Sequence, residues 1–358
     1  MSDQAESLRH VSNTTGSDEP VIESVATEME QEVAWTIQAS SPSVTTHSAN
    51  DEDQAGDEPE EVVAHEPRPS RILCLASGKG GVGTSVLSMN LAVSLARKGH
   101  KVALVDADYG LGQLEILCDR RPTVDLEDVL SGRIAPWEAL VEGPEGIMLL
   151  AGSHAARMNE AWLVGPATDE LVAQVVTELR DSGVADWIIV DSGSGLSARS
   201  QTLASVADGM ILVTTPEQAS LAASHALLSH LRRAVGSHLK MVTVVNKASS
   251  HKAGEEAADR LIQASRLFQA LSVSHLGVVR HDVDVPRAIR SRISVVQAPG
   301  WWLSTAARDI EKLASRIHED FESWSSAATE LHEMIRPMEK PLILQADHEA
   351  QSSSRKAS

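Results

Sequence analysis

The chain has 358 residues, of which 42% are hydrophobic and only 3% aromatic, so it can bury a substantial core and that core must be aliphatic. The net charge of −19 is unevenly placed: residues 1–70 hold 16 acidic against 2 basic residues, net −14, leaving −5 for the remainder. That balance excludes a protein that wraps nucleic acid through general electrostatics, and no apolar run approaches the ~20 residues that span a bilayer.

Residues 1–12 (MSDQAESLRHVS) predict a short helix, capped by Ser2, with Ala5, Leu8 and Val11 on one face. From residue 13 to about 70 the composition turns to Ser, Thr, Glu, Asp, Ala and Pro without sustained periodicity, which predicts a disordered acidic linker. Order is expected to begin at Arg71. RILCLA reads as a buried strand, SGKGGVGTS as a loop, and SVLSMNLAVSLARKG as a helix closed by Gly99. A second strand, KVALVDAD, follows. Further apolar strands are predicted at 146–152, 186–192, 209–215, 241–247 and 273–279, with helical patterns at 169–180, 217–235 and 255–271. This alternation predicts an α/β fold, a mostly parallel twisted sheet flanked by helices on both faces. A last helix is predicted from Trp301 to about Arg336, ended by Pro337. Cys74 and Cys118 sit in no metal or redox spacing and read as ordinary thiols of a chain kept in the cytoplasm.

The loop carries chemistry. A strand, then G-x-x-x-x-G-K-[ST], then a helix is the phosphate-binding arrangement: backbone amides surround the phosphates, the helix N-terminus adds partial positive charge, and the last hydroxyl serves magnesium. Gly78, Lys79, Gly80, Gly81, Val82, Gly83, Thr84 and Ser85 match every defined place except the lysine, where Thr84 stands. Losing that ammonium removes roughly 4 kcal/mol of gross attraction at ~4 Å and an effective dielectric near 20. Either Lys79 and magnesium compensate, or hydrolysis has been lost while the fold remains.

The lysine of KGGVG, Lys79, marks the deviant loop of the MinD/ParA group of ATPases, and residues 71–318 resemble that group in further segments that recur in order. VDADYGLGQLEIL resembles its first switch, DSGSGLS its second, and DVDVPRAI at 282–289 its base-side loop. The resemblance implies a P-loop fold binding ATP and Mg2+. Asp108 would orient the attacking water, Ser85, Asp106 and Asp191 would stand on the magnesium side, and Asn246 of VVNK would contact adenine. It also implies a homodimer sandwiching two nucleotides, with Lys79 of each subunit reaching the neighbour's phosphates.

Within the group, residues 106–153 and the N-terminal DQAESLR resemble the FlhG (YlxH) regulators of flagellar number. That likeness implies that Asp3, Gln4, Ala5, Leu8 and Arg9 form a helix stimulating an FlhF-type SRP GTPase, with flagellar switch or basal-body proteins as further partners. Such proteins attach to membrane through a basic C-terminal helix. Here residues 318–345 carry Glu319, Asp320, Glu322, Glu330, Glu333 and Glu339 against Arg336 and Lys340, so a packed or partner-binding helix is expected, peripheral at most to the inner membrane face. Three readings stand: an FlhG-like ATPase switch, a non-hydrolysing scaffold activating a GTPase, and a ParA-type DNA-partition ATPase. The last would need a basic surface, for which only Arg280, Arg287, Arg290 and Arg292 cluster.

Overall fold

The structure is a computed structural model that describes residues 70–108, 112–152, 165–235, 239–269 and 273–320. The N-terminal helix expected over 1–12, the linker after it and the part of the last helix beyond Asp320 lie outside the described residues.

Helices and strands alternate along the chain: β1 Arg71–Ser77, α1 Thr84–Arg97, β2 Val102–Asp106, α2 Leu114–Leu117, α3 Leu126–Leu130, β3 Val141–Glu142, β4 Met148–Leu150, α4 Pro166–Ser182 and β5 Trp187–Ser194. The second half continues with α5 Ala198–Val206, β6 Gly209–Thr214, α6 Gln218–Val235, β7 Lys240–Ala248, α7 His251–Gln269, β8 Ser274–Arg280, α8 Asp284–Arg290 and α9 Thr305–Asp320. The eight strands form one sheet in the order β3-β4-β2-β5-β1-β6-β7-β8. Every pairing is parallel except β3 with β4. Strands covered on both faces need apolar side chains in both directions, which is why RILCLA and WIIV read as unbroken runs rather than alternating ones.

Each face buries its own core. On one, Leu73, Leu75 and Leu104 of the sheet meet Leu91 and Leu95 of α1 and Ile310, Leu313 and Ile317 of α9. On the other, Ile72, Cys74 and Val105 meet Val176 and Leu179 of α4, Leu203 of α5 and Leu227 and Leu231 of α6. Cys74 and Cys118 are both buried, and burial pushes each thiol up to about 12, so neither is a reactive thiolate.

The short elements α2, α3, β3, α5 and α8 were not legible, because periodicity needs more residues than they contain. α3 depends instead on chemistry: the Asp125 carboxylate accepts from the Glu127 and Asp128 amides while Asp128 accepts from the Asp125 amide. The last helix also begins later than expected. Trp301–Leu303 form a separate 3-10 turn, and Ser304 is extended (φ −66, ψ 129). The chain breaks there because Asp282 supplies the helix start: its Oδ2 accepts from the Ser304 and Thr305 hydroxyls at 2.9 Å each and from the Thr305 and Ala306 amides at 2.6 and 3.2 Å.

Burial raises the proton affinity of Asp282, but the Asp284 and Ala306 amides and the Ser304 and Thr305 hydroxyls outweigh it and hold the carboxyl below the usual range. A depressed folded pKa means stability that is present above the unfolded value and lost progressively as pH falls from there through the folded value. Asp282→Ala is expected to cost about 2 kcal/mol at pH 7 and to lower the melting temperature by about 6 °C. The gap between variant and native protein should begin to narrow as the pH is taken below about 4, which thermal unfolding at pH 7 and pH 3 checks.

Candidate nucleotide and magnesium site

The phosphate loop leaves β1, central in the sheet, and enters α1 at Thr84. Gly83 caps the helix in a left-handed conformation (φ 97) and no acidic residue occupies the first turn. The amides and the partial positive charge of the helix start are thus not offset by a carboxylate of the helix's own first turn. The Thr84 hydroxyl is committed within the fold. The residue is 7% exposed, and its hydroxyl donates to Ser77 Oγ at 3.0 Å, while Ser77 in turn donates to the Lys79 carbonyl at 3.1 Å. Lys79 is half exposed and pairs with Glu217 at 3.3 Å.

Three carboxylates gather at the carboxyl ends of β2 and β5. Asp106 and Asp191 are register partners on adjacent parallel strands, and both are 1% exposed. Burial, and then the charge of Asp191, push Asp106 up to about 7 against the opposing Leu114 and Asp108 amides. Burial pushes Asp191 up to about 6 against hydrogen bonds from the Ser85 hydroxyl and the Gly193 amide. Asp191 Oδ2 is buried and has no hydrogen-bond partner. A buried carboxylate with an orphaned oxygen, beside a second buried carboxylate and a serine hydroxyl, is chemistry suited to a hard divalent cation. The structure thus brings Ser85 and Asp106 to Asp191, whose unpartnered oxygen is the atom a magnesium ion would meet.

Asp108 lies beside them but is held. Arg199 of α5 donates from Nη1 to Asp108 Oδ1 at 2.8 Å and brings Nε to 3.7 Å from Asp169 Oδ1. The end of β5 passes so close that a Cβ on Gly193, whose φ is +74, would stand 2.7 Å from the Asp108 carboxyl carbon; only glycine allows this approach. Arg199 was not singled out in the sequence, because an arginine eight residues after Asp191 has no signature of its own.

On the base side, Asn246 Nδ2 donates to the Val82 carbonyl at 2.8 Å, so its side chain lies against the loop. The segment 284–289 forms the helix α8. The basic cluster is largely neutralised: Arg280 makes a double hydrogen bond with buried Asp309, Arg287 pairs with Asp284, and Arg292 with Asp119. That removes the main argument for a DNA-partition surface. Among the described residues no helix is long and apolar enough to cross a membrane.

A family model named ParA, described as NUBPL iron-transfer P-loop NTPase, matches residues 68–318. The chain belongs to the ParA/MinD family of P-loop NTPases. Similar members of this family include the antiactivator FleN of Pseudomonas aeruginosa, 27% identical over 64% of this chain and 80% of FleN. The flagellum site-determining protein YlxH of Helicobacter pylori is 28% identical over 62% of this chain and 74% of YlxH. The septum site-determining protein MinD of Bacillus subtilis is 31% identical over 67% and 87%. Among solved structures, the cell division ATPase MinD of Pyrococcus furiosus superposes with a TM-score of 0.59 at 25% identity, over 70% of this chain and 99% of that one. Flagellar and septum-site ParA/MinD proteins are thus about equally similar to it.

Proposed function

We propose that the chain is an ATP-binding switch of the FlhG type, regulating flagellar number or placement as a nucleotide-gated homodimer. The observation that carries the nucleotide part is the convergence of Ser85, Asp106 and Asp191 at the mouth of a glycine loop, with an orphaned buried carboxylate oxygen. Loop amides of residues 78–85 would bind the polyphosphate, and Ser85 and Asp191, backed by Asp106, would hold Mg2+. The metal would supply charge neutralisation between phosphates and buried carboxylates. Asp108 would orient water once released from Arg199, and Lys79 would turn from Glu217 to a second subunit's phosphates. Similarity to FleN and YlxH supports the flagellar part, and the N-terminal DQAESLR favours it over septum placement.

In this reading residues 1–12 are the activator of an FlhF-type GTPase. A helix this short is marginal alone and gains order by burying Ala5 and Leu8 against a partner. Gln4 and Arg9 then reach polar groups there, while the acidic linker lets the helix search a wide radius. Deleting residues 1–12 is expected to abolish stimulation of the cognate GTPase and leave nucleotide binding by the domain intact; unchanged stimulation would remove the partner assignment.

Two observations favour the non-hydrolysing scaffold as the second reading. The Thr84 hydroxyl is committed to Ser77, and Asp108 is tied to Arg199.

A further inference from the structure

The end of β7 is distorted in a way that places two side chains on the phosphate loop. Its register with β8 shifts between Val245 and Ala248, and Lys247 adopts φ 57, a left-handed conformation that costs a lysine and persists where the surroundings enforce it. From that bend the Lys247 ammonium donates to the Gly81 carbonyl at 2.7 Å, and the Asn246 amide nitrogen to the Val82 carbonyl at 2.8 Å. Asn246 Oδ1 accepts from the Lys247 amide at 2.9 Å, which locks the bend. The approach is so close that a Cβ on Gly83 would stand 2.6 Å from the Asn246 nitrogen and 3.8 Å from Lys247 Cε.

In a trans peptide the carbonyl and the following N–H point to opposite sides. Donors that capture the Gly81 and Val82 carbonyls from outside the loop therefore turn the Val82 and Gly83 amides the other way. Each captured carbonyl also polarises its peptide and makes that N–H a stronger donor. Lys79 is paired with Glu217, whereas among the described residues no carboxylate pairs with Lys247. The loop lacks a lysine at position 84 yet has a second ammonium resting on its backbone.

We propose that Lys247 is a positioning residue for the polyphosphate: through Gly81 it holds the loop in its phosphate-ready shape, and it brings to the loop part of the positive charge that Thr84 lacks. This rests on the loop being a nucleotide site, so one arm of the test uses no ligand. Lys247→Met keeps the stem and removes donor and charge, while Lys247→Arg keeps both. Hydrogen exchange of the 78–84 amides in the ligand-free full chain should accelerate at least fivefold in Lys247→Met and stay near native in Lys247→Arg, with melting temperatures confirming that both fold. Binding of magnesium-ATP and of inorganic triphosphate should weaken at least tenfold in Lys247→Met and within threefold in Lys247→Arg. Native exchange and native affinity in Lys247→Met would overturn the proposal, as would equal losses in both variants. If the native chain binds neither probe, the nucleotide reading fails, and the exchange comparison decides by itself whether Lys247 braces the loop.

Discussion

Replacing Thr84 with lysine is expected to tighten binding of magnesium-ATP about a hundredfold. The native hydroxyl contributes nothing to the phosphates from where it stands, because it donates to Ser77 and is buried at the start of α1. A lysine stem from the same position carries an ammonium toward the hollow of the loop. At ~4 Å from a phosphate charge and an effective dielectric near 20 its gross attraction is about 4 kcal/mol, of which about 3 kcal/mol is expected to survive desolvation. The change forfeits one buried hydroxyl hydrogen bond, about 1 kcal/mol of stability, while Ser77 keeps its bond to the Lys79 carbonyl. Equilibrium titration of both proteins reads the affinity, and turnover in the same samples separates the two readings of function. A native protein that turns over ATP at a rate comparable to the variant sinks the scaffold reading. A silent native protein beside an active variant supports it. A gain in affinity below threefold would mean that Lys79 and Lys247 already supply the charge.

The second large effect concerns pH and the buried carboxylates. Asp106, pushed up to about 7, and Asp191, pushed up to about 6, hold protons more tightly in the folded chain than in the unfolded one. A raised folded pKa contributes stability that is fully present below the unfolded value near 4 and lost as pH rises through the folded values. Without ligand the domain should therefore become less stable between about pH 4 and pH 7, by on the order of 4 kcal/mol for Asp106 at ~1.4 kcal/mol per tenfold change in proton affinity. Asp106→Asn removes the ionisation but sets an amide hydrogen against one of the two backbone amides that Asp106 now accepts. It should still be about 2 kcal/mol more stable than native at pH 8, with a flatter pH profile. Magnesium with ADP should stabilise the native protein more at pH 8 than at pH 5, because the cation competes with protons for the same oxygens. Chemical denaturation at the two pH values measures both effects; a variant less stable than native at pH 8 would contradict the assignment of strain to this pair.

Much of this was legible in the chain itself, for identifiable reasons. The seven longer strands and the long helices announce themselves because both faces of a covered parallel sheet demand apolar residues, and Gly78–Ser85 combines a spacing with a strand and a helix on its two sides. Ser85 could be named from the loop motif, and Asp106 and Asp191 from the resemblance of their segments to the two switches of the MinD/ParA group. What sequence did not reveal depends on side chains arriving from elsewhere. Arg199 reaches Asp108 across 91 positions, Glu217 reaches Lys79 across 138, and the Lys247 ammonium reaches Gly81 across 166. Asp282 starting α9 is a similar case, and it is why the last helix was expected to open at Trp301 rather than Thr305. The substitution at Thr84 was visible as a loss, whereas the hydroxyl pair that accommodates it and the second ammonium on the loop arise only where the folded chain brings distant segments together.

The most direct test of an ATP-gated switch is the mass of the full-length chain by sedimentation velocity with magnesium and no nucleotide, ADP, or a non-hydrolysable ATP analogue. A monomer without nucleotide and with ADP, and a dimer with the analogue, is the expected result, with Lys79→Ala remaining monomeric throughout. A chain that binds the analogue yet keeps one mass in all three conditions would contradict the nucleotide-gated dimer.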